Sequence, residues 1–264
     1  MTDTLRVHII TEEDPFYLPV FFAEFFSALP NDGIEVTGID ITPPLNQGSR
    51  WRLARKLWNF YGPRDFARLI ARYALARGKD LVLPHRWWAG TIARLARRHG
   101  VPCRDVAAVN APDFVEALRA LKPDLLISVA ASQIFREPLL AVPRLEPINI
   151  HTGALPEYRG MLPVFWQMHN GERAITITIH TMTTAIDLGE ILSRTEVPLT
   201  TGTSLDAAIR TMKRAGARAL HDLLARYRAG TVTRAPMEAG GGRYRSFPTR
   251  ADAVAYRRAG GRLL

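Results

Sequence analysis

Cysteine is nearly missing from this chain: Cys103 is the single one in 264 residues. That excludes an internal disulfide framework and any cysteine cluster built for zinc. Long apolar runs are missing as well, and no stretch has the roughly 20 mostly apolar residues that a membrane-spanning helix requires. The opening MTDTLRVHII carries Asp3 where a secretory signal needs a basic flank, and its apolar run is short. A soluble, cytoplasmic protein is therefore the expectation. The 19 glycines and 18 prolines follow no period, which excludes a collagen-like or low-complexity chain. A hydrophobic content of 47% excludes dominant disorder and is enough for one large domain, or one domain with a short appendage. No internal repeat is visible.

Acidic residues are scarce only in places. Residues 1–49 carry a net charge of −7, residues 50–104 +12, residues 105–200 −4 and residues 201–264 +9. A general nucleic-acid coat would be basic throughout, so the pattern points to two basic faces on a mixed surface. The first basic block also holds Trp51, Trp58, Tyr61, Trp87 and Trp88. Within WRLARKLWNFYG, Leu53, Leu57 and Tyr61 fall at helical spacing beside Arg52, Arg55 and Lys56. This predicts a surface helix whose basic face is either simply solvated or touches an anionic partner, whether RNA, a nucleotide-linked metabolite or a membrane surface.

Strand-like and helix-like segments alternate through the first half. Strands are predicted at Leu5–Ile10, Glu35–Ile41, Asp80–Leu83, Pro102–Val106 and Asp124–Val129. Helices are predicted at Phe16–Leu29, Trp51–Phe60, Arg64–Arg77, Ala89–Arg98 and Pro112–Leu121. This rhythm implies an α/β fold, a mainly parallel sheet with helices on both faces, whose sites gather at the carboxyl ends of strands. After Pro147 the chain reads as an extended INIH, a turn-rich TGALPEYRGMLP, a short helix at Val164–Met168, and strands at Ala174–Met182 and Glu190–Val197. A long helix follows over Ser204–Arg228 with Thr203 as its N-cap. A glycine run at 240–242 then precedes a last short helix capped by Thr249.

The chemistry-bearing group is Asn149, His151 and Asp187. Residues two apart on a strand point the same way, so Asn149 and His151 project together from a strand end. An amide can donate to a developing oxyanion while an imidazole moves a proton, and a carboxylate such as Asp187 can orient the ring. Each residue alone also suits an ordinary structural role, an Asp before a glycine being a frequent turn residue.

The strings around these residues resemble a known family. NIHTGALPEYRG (149–160) is similar to the folate-dependent formyltransferase signature N-x-H-x-S-x-L-P-x-Y-R-G. PVFWQMHNG (163–171) resembles that family's P-I-x-W-x-x-x-N-G, and IHTMTTAIDLGEIL (179–192) its strand, loop and D-T-G-x-I-L. The opening V7–V20, with PFYLPV, looks like the first strand and helix of the transfer-RNA and sugar members. The resemblance covers roughly residues 5–200 and implies a Rossmann-like formyltransferase fold. It also implies transfer of a formyl group from 10-formyltetrahydrofolate to an amine, with no metal. Carried over, Asn149 hydrogen-bonds the formyl oxygen, His151 polarises it and shuttles a proton, and Asp187 holds His151 and a water and assists proton transfer to N10 of the folate. The pterin is implied to lie against backbone of Ser132, Gln133, Ile134 and Phe135, and of Thr183, Thr184, Ala185 and Ile186.

This chain departs from the pattern in the loops. Thr183-Thr184-Ala185 stands where the family often has D-E-G, and Ser132 where a glycine is common. The first strand runs into Thr11-Glu12-Glu13-Asp14, with no glycine-rich phosphate cradle, which disfavours glycinamide ribonucleotide as acceptor. Residues 1–200 are read as the catalytic domain and 201–264 as a helical C-terminal extension too short for the β-barrel that transfer-RNA members usually carry. The lead acceptor is a primary amine of a small metabolite, such as a nucleotide-linked amino sugar. Charged initiator transfer RNA, as in methionyl-tRNA formyltransferase, comes second, and water, in a formyltetrahydrofolate hydrolase, third. A noncatalytic basic RNA-binding protein is the reading from another class. Oligomeric state stays open, a homodimer included.

Overall fold

The computed structural model describes residues 4–29, 33–44, 50–83, 90–238 and 242–264. Trp87, Trp88 and the glycines at 240 and 241 lie outside them, as does the predicted start of a helix at Ala89. In chain order the elements are β1 (Leu5–Glu12), α1 (Leu18–Ser27), β2 (Ile34–Thr42), α2 (Arg50–Val82), α3 (Ile92–Arg98), β3 (Cys103–Asp105), α4 (Pro112–Ala120) and β4 (Leu125–Val129). There follow α5 (Glu137–Leu140), β5 (Glu146–His151), α6 (Pro163–His169), β6 (Ala174–Thr181), β7 (Ile191–Pro198), α7 (Leu205–Ala229) and α8 (Arg250–Arg258).

The strands form one seven-stranded sheet in the order β3-β2-β1-β4-β5-β6-β7. The first five pair in parallel, and β6 and β7 continue antiparallel, so the sheet is mainly parallel and Rossmann-like, as the alternating pattern implied. Alternation along the strands splits the core. Val7, Ile9, Leu125, Ile127, Ile148 and Ile150 face one layer, with the α1 phenylalanines Phe21, Phe22, Phe25 and Phe26 and the apolar stripe of α7. Ile10 and Leu126 face the other, with Phe114, Leu118 and Phe135. Each buried phenylalanine of α1 contributes on the order of 2–3 kcal/mol by leaving water. Because α1 lies on one face and α4 on the other, the chain reverses its winding between β1 and β4. In such sheets that is where a ligand crevice opens.

Two expectations need correcting. Asp80–Leu83 is not a strand: α2 runs on to Val82, and the place beside β2 is taken by Cys103–Asp105. Arg94 reaches back to the Leu83 carbonyl at 2.9 Å and to the Asp80 carboxylate at 3.9 Å, which holds this helix end against α3. The two helices expected over 51–60 and 64–77 are both present within α2, separated by Gly62, whose φ of 70° and ψ of 170° leave the helix just before Pro63. The cap of α7 is Ser204, which accepts from the Ala207 N–H at 3.3 Å, whereas the Thr203 hydroxyl turns back to the Thr200 carbonyl. Thr249 caps α8 with a full capping box to Asp252, as its position implied. After residue 200, α7 and α8 share the main core: Leu205, Leu220 and Leu224 of α7 and Tyr256 of α8 are buried in it.

Among the described residues no helix is long and apolar enough to cross a membrane, and no group of three or more His, Cys, Asp or Glu could hold a metal ion.

Candidate active site

The carboxyl ends of β1, β4 and β5 open onto a cavity of ≈ 600 Å³. Asn149 and His151 stand at the end of β5, and Asp187 comes to them from the β6–β7 loop. All three line the cavity, so residues distant in the chain meet at one point.

Hydrogen bonds fix what each ring nitrogen can do. His151 Nε2 lies 2.7 Å from the Tyr158 carbonyl, which can only accept, so Nε2 carries the proton. The nitrogen left to handle another proton is therefore Nδ1, 3.9 Å from Asp187 Oδ1. The same logic applies to His180 on β6, directly across the sheet register from Asn149. Its Nδ1 donates to the Thr181 carbonyl at 2.8 Å, so its Nε2 accepts from Asn149 Nδ2 at 3.2 Å. That bond orients the Asn149 amide and occupies only one of its two N–H groups. Burial above all, then the nearby His151, hold the His180 pKa down at about 4, so the ring that aims Asn149 is neutral near pH 7. Sequence reading passed over His180. Its two-residue alternation with Thr178, opposite Asn149 and His151, was the signal available.

The motif residues between these groups build the support. Gln167, 1% exposed, satisfies both ends of its amide: Nε2 donates to the Thr152 and Pro163 carbonyls, and Oε1 accepts from Ala154 and Thr176. This pins the turn after His151. Gly153 allows that turn to close, because a Cβ there would sit 2.8 Å from His151 Nε2. Asn170 donates to the Tyr158 hydroxyl, which itself donates to Glu172 at 2.6 Å, so the residue whose carbonyl receives His151 is held from both sides.

The Arg159–Gly160 pair holds the loop carrying Asp187. Arg159 donates to the Ile186 carbonyl at 2.7 Å, and the Gly160 N–H donates to Asp187 Oδ2 at 3.0 Å. Asp187 itself has φ 54°, a left-handed conformation that Asp tolerates better than most residues. Two residues on, a Cβ at Gly189 would lie 1.7 Å from the Thr181 carbonyl oxygen, so no larger residue fits where the loop rejoins the sheet.

The loops proposed for a pterin also line the cavity: Gln133, Ile134 and Phe135 after β4, and Thr184, Ala185 and Ile186 before Asp187. Gln133 turns its side chain outward, accepting from Val109 N and donating to the Ala107 carbonyl, and Phe135 is buried in the second core layer. Ser132, in the place of a common glycine, bonds the Pro43 carbonyl at 2.6 Å and Thr42 at 2.9 Å, tying this loop to the end of β2. From the tail, Met161 N donates to the Arg245 carbonyl, Trp166 Nε1 donates to the Ser246 carbonyl, and Tyr244 lines the cavity. Glu12, Asp14, Tyr17, Ile209 and Lys213 line it too, from the end of β1, the approach to α1 and the face of α7.

The basic α2 presents a mixed face. Trp51 is 85% exposed, Trp58 packs edge-on against Phe66, and Lys56 lies 4.1 Å over the Phe247 ring of the tail.

Comparison with known proteins bears on the family and the fold. The family described as formyl transferase matches residues 94–224. The methionyl-tRNA formyltransferase of Ruminiclostridium cellulolyticum is 34% identical over 162 residues, 61% of this chain and 50% of that protein. That of Geobacter sulfurreducens is 35% identical over 156 residues, 59% of this chain and 44% of that protein. The chain thus spans about half the length of these curated relatives. Among solved structures, a sugar N-formyltransferase from a Shewanella species matches 92% of this chain and 77% of its own, with TM-score 0.56 and 19% identity. A glycinamide ribonucleotide transformylase from Symbiobacterium toebii matches 89% and 95%, with TM-score 0.59 and 15% identity. These two share the fold. With the matched family, the fold and the three convergent motifs in agreement, the chain is similar to the formyltransferase family over residues 94–224, just under half of its length.

Proposed function

We propose that this protein transfers a formyl group from 10-formyltetrahydrofolate to a primary amine, in cytoplasmic one-carbon metabolism. The observation that carries the reading is the meeting of Asn149, His151 and Asp187 at one cavity, with a single N–H of Asn149 and Nδ1 of His151 left without a hydrogen bond among the described residues. The cavity suits the co-substrate: at ≈ 600 Å³ it has the volume of a small-molecule site, and Ile134, Phe135 and Ile186 are among its apolar lining. When bound, the folate supplies an activated formyl carbon attached to N10.

The chain's own residues then have distinct tasks. Asn149 donates its second N–H to the formyl oxygen, which gains negative charge as the amine adds. His151 polarises the same oxygen and passes a proton through Nδ1. Asp187 balances the charge on that ring and assists proton delivery toward N10, a poor leaving group until protonated. Backbone of residues 133–135 and 184–186 holds the pterin. Residues 1–200 form the catalytic domain and residues 201–264 the helical extension packed on it.

The acceptor we propose is an amine of a small metabolite, such as a nucleotide-linked amino sugar, the acceptor class that the sugar N-formyltransferase neighbours bring to mind. Methionyl-tRNA is the second reading, favoured by the curated relatives' names and by the basic α2. Turnover with 10-formyltetrahydrofolate against nucleotide-linked amino sugars and charged initiator transfer RNA tests both. Formylation of neither, with formate as the product, would replace them with a hydrolase.

A further inference from the structure

The cavity has lining residues that the mechanism above leaves unused. Asp14 enters it from the β1–α1 connection and Lys213 from α7, and Tyr17 and Ile209 line it as well. Asp14 Oδ1 accepts from the Phe16 and Tyr17 N–H groups at 2.7 and 3.2 Å, and the carboxylate forms no ion pair among the described residues. Lys213 makes neither a hydrogen bond nor an ion pair among the described residues, although it lines the same half-buried space. An ammonium and a carboxylate oxygen thus stand near each other in a sheltered cavity, too far apart to pair. Sheltered charges are costly unless a partner arrives.

Their titration agrees. Burial lowers the Lys213 pKa against the opposing pull of Asp14 and Glu12, and burial raises that of Asp14 against its backbone donors and Lys213. Both groups gain from a ligand of complementary charge.

We propose, resting on the formyltransferase reading, that Asp14 and Lys213 are the acceptor subsite, and that the acceptor carries an anionic oxygen group, carboxylate or phosphate, close to its amine. Asp14 receives the acceptor's ammonium and Lys213 its anion. The ammonium gives one proton to Asp14 and so frees its lone pair. The amine nitrogen bonds to the formyl carbon, the bond from that carbon to N10 breaks, and a second amine proton ends on N10. The product is the N-formyl amine with one N–H retained, plus tetrahydrofolate, and the proton on Asp14 returns to water. An aminoacyl ester, the form in which methionine sits on transfer RNA, has no carboxylate for Lys213.

The test is steady-state formylation by the full chain with 10-formyltetrahydrofolate and paired acceptors. L-methionine and β-alanine are each compared with their methyl esters, and glucosamine 6-phosphate with glucosamine. The expected result is a preference for the anionic member of at least one pair by about 10- to 100-fold in kcat/KM, the size of one charge-assisted contact. The carboxylate and phosphate pairs tell which source of anion is used. Lys213→Met brings that ratio close to one, and Lys213→Arg restores part of it. Equal use of anionic and neutral members, or an unchanged ratio in Lys213→Met, overturns the proposal while formyl transfer stands. Transfer to none of them also overturns it. Quenching of tryptophan fluorescence by 5-formyltetrahydrofolate then reports separately whether the folate reading falls too.

Discussion

His180 accepts a hydrogen bond from Asn149 at 3.2 Å, and the two residues are register partners across β5 and β6. The amide is therefore aimed by a neutral ring whose own Nδ1 is tied to the Thr181 carbonyl. This gives Asn149 a fixed direction before any ligand arrives, which is what an oxyanion donor requires.

Removing that donor should slow the chemistry more than it weakens binding. Asn149→Ala is expected to lower kcat by about 10²–10³ with the affinity for 5-formyltetrahydrofolate nearly unchanged. Single-turnover rates alongside fluorescence titration check this. A proportional loss of folate affinity would assign Asn149 to binding instead.

His180 makes stability depend on pH. Its folded pKa of about 4 lies below the ordinary 6.5, so the unfolded chain takes up its proton first as pH falls. The stability it contributes is complete above about pH 7 and is lost as pH drops from 6.5 toward 4, by up to about 3 kcal/mol. Urea unfolding of wild type and His180→Gln across that window should show the flatter profile in the variant.

The β6–β7 loop depends on Gly189. Gly189→Ala places a methyl against the Thr181 carbonyl and should destabilise the fold by about 2–4 kcal/mol. Because the displaced loop carries Asp187, activity should fall further than the unfolded fraction explains. Circular dichroism melts and specific activity, measured on the same samples, separate the two effects.

The cap of α7 gives a local contrast. Ser204→Ala should cost about 1 kcal/mol, since Ser204 accepts from Ala207 N, and Thr203→Ala less. Thermal melts of the two variants decide it, and a larger loss in Thr203→Ala would move the cap one residue back.

Much of this architecture is readable from the residues. The alternation of β-rich and helical segments announces the parallel sheet, and Asn149 and His151, two apart on one strand, announce a shared direction. The arrival of Asp187 came from motif resemblance, because no local pattern says where a loop 36 residues further on returns. Asp80–Leu83 misled because four β-compatible residues cannot be told from the end of a helix without knowing which segment occupies the sheet edge. His180 and Lys213 were hidden for a related reason. Nothing in the segment of either marks it out, and only the winding reversal between β1 and β4, together with the packing of α7 over it, brings them to one cavity with Asp14, which the acidic run after the first strand had already marked.

The most direct measurement follows the label from 10-formyltetrahydrofolate carrying ¹⁴C in its formyl group, with the wild-type protein, a panel of primary amines and His151→Ala as the control. The account predicts that the label appears on an amine in wild type and that the rate collapses by about 10³-fold or more in His151→Ala. Label released only as formate, or equal transfer by His151→Ala, would contradict it.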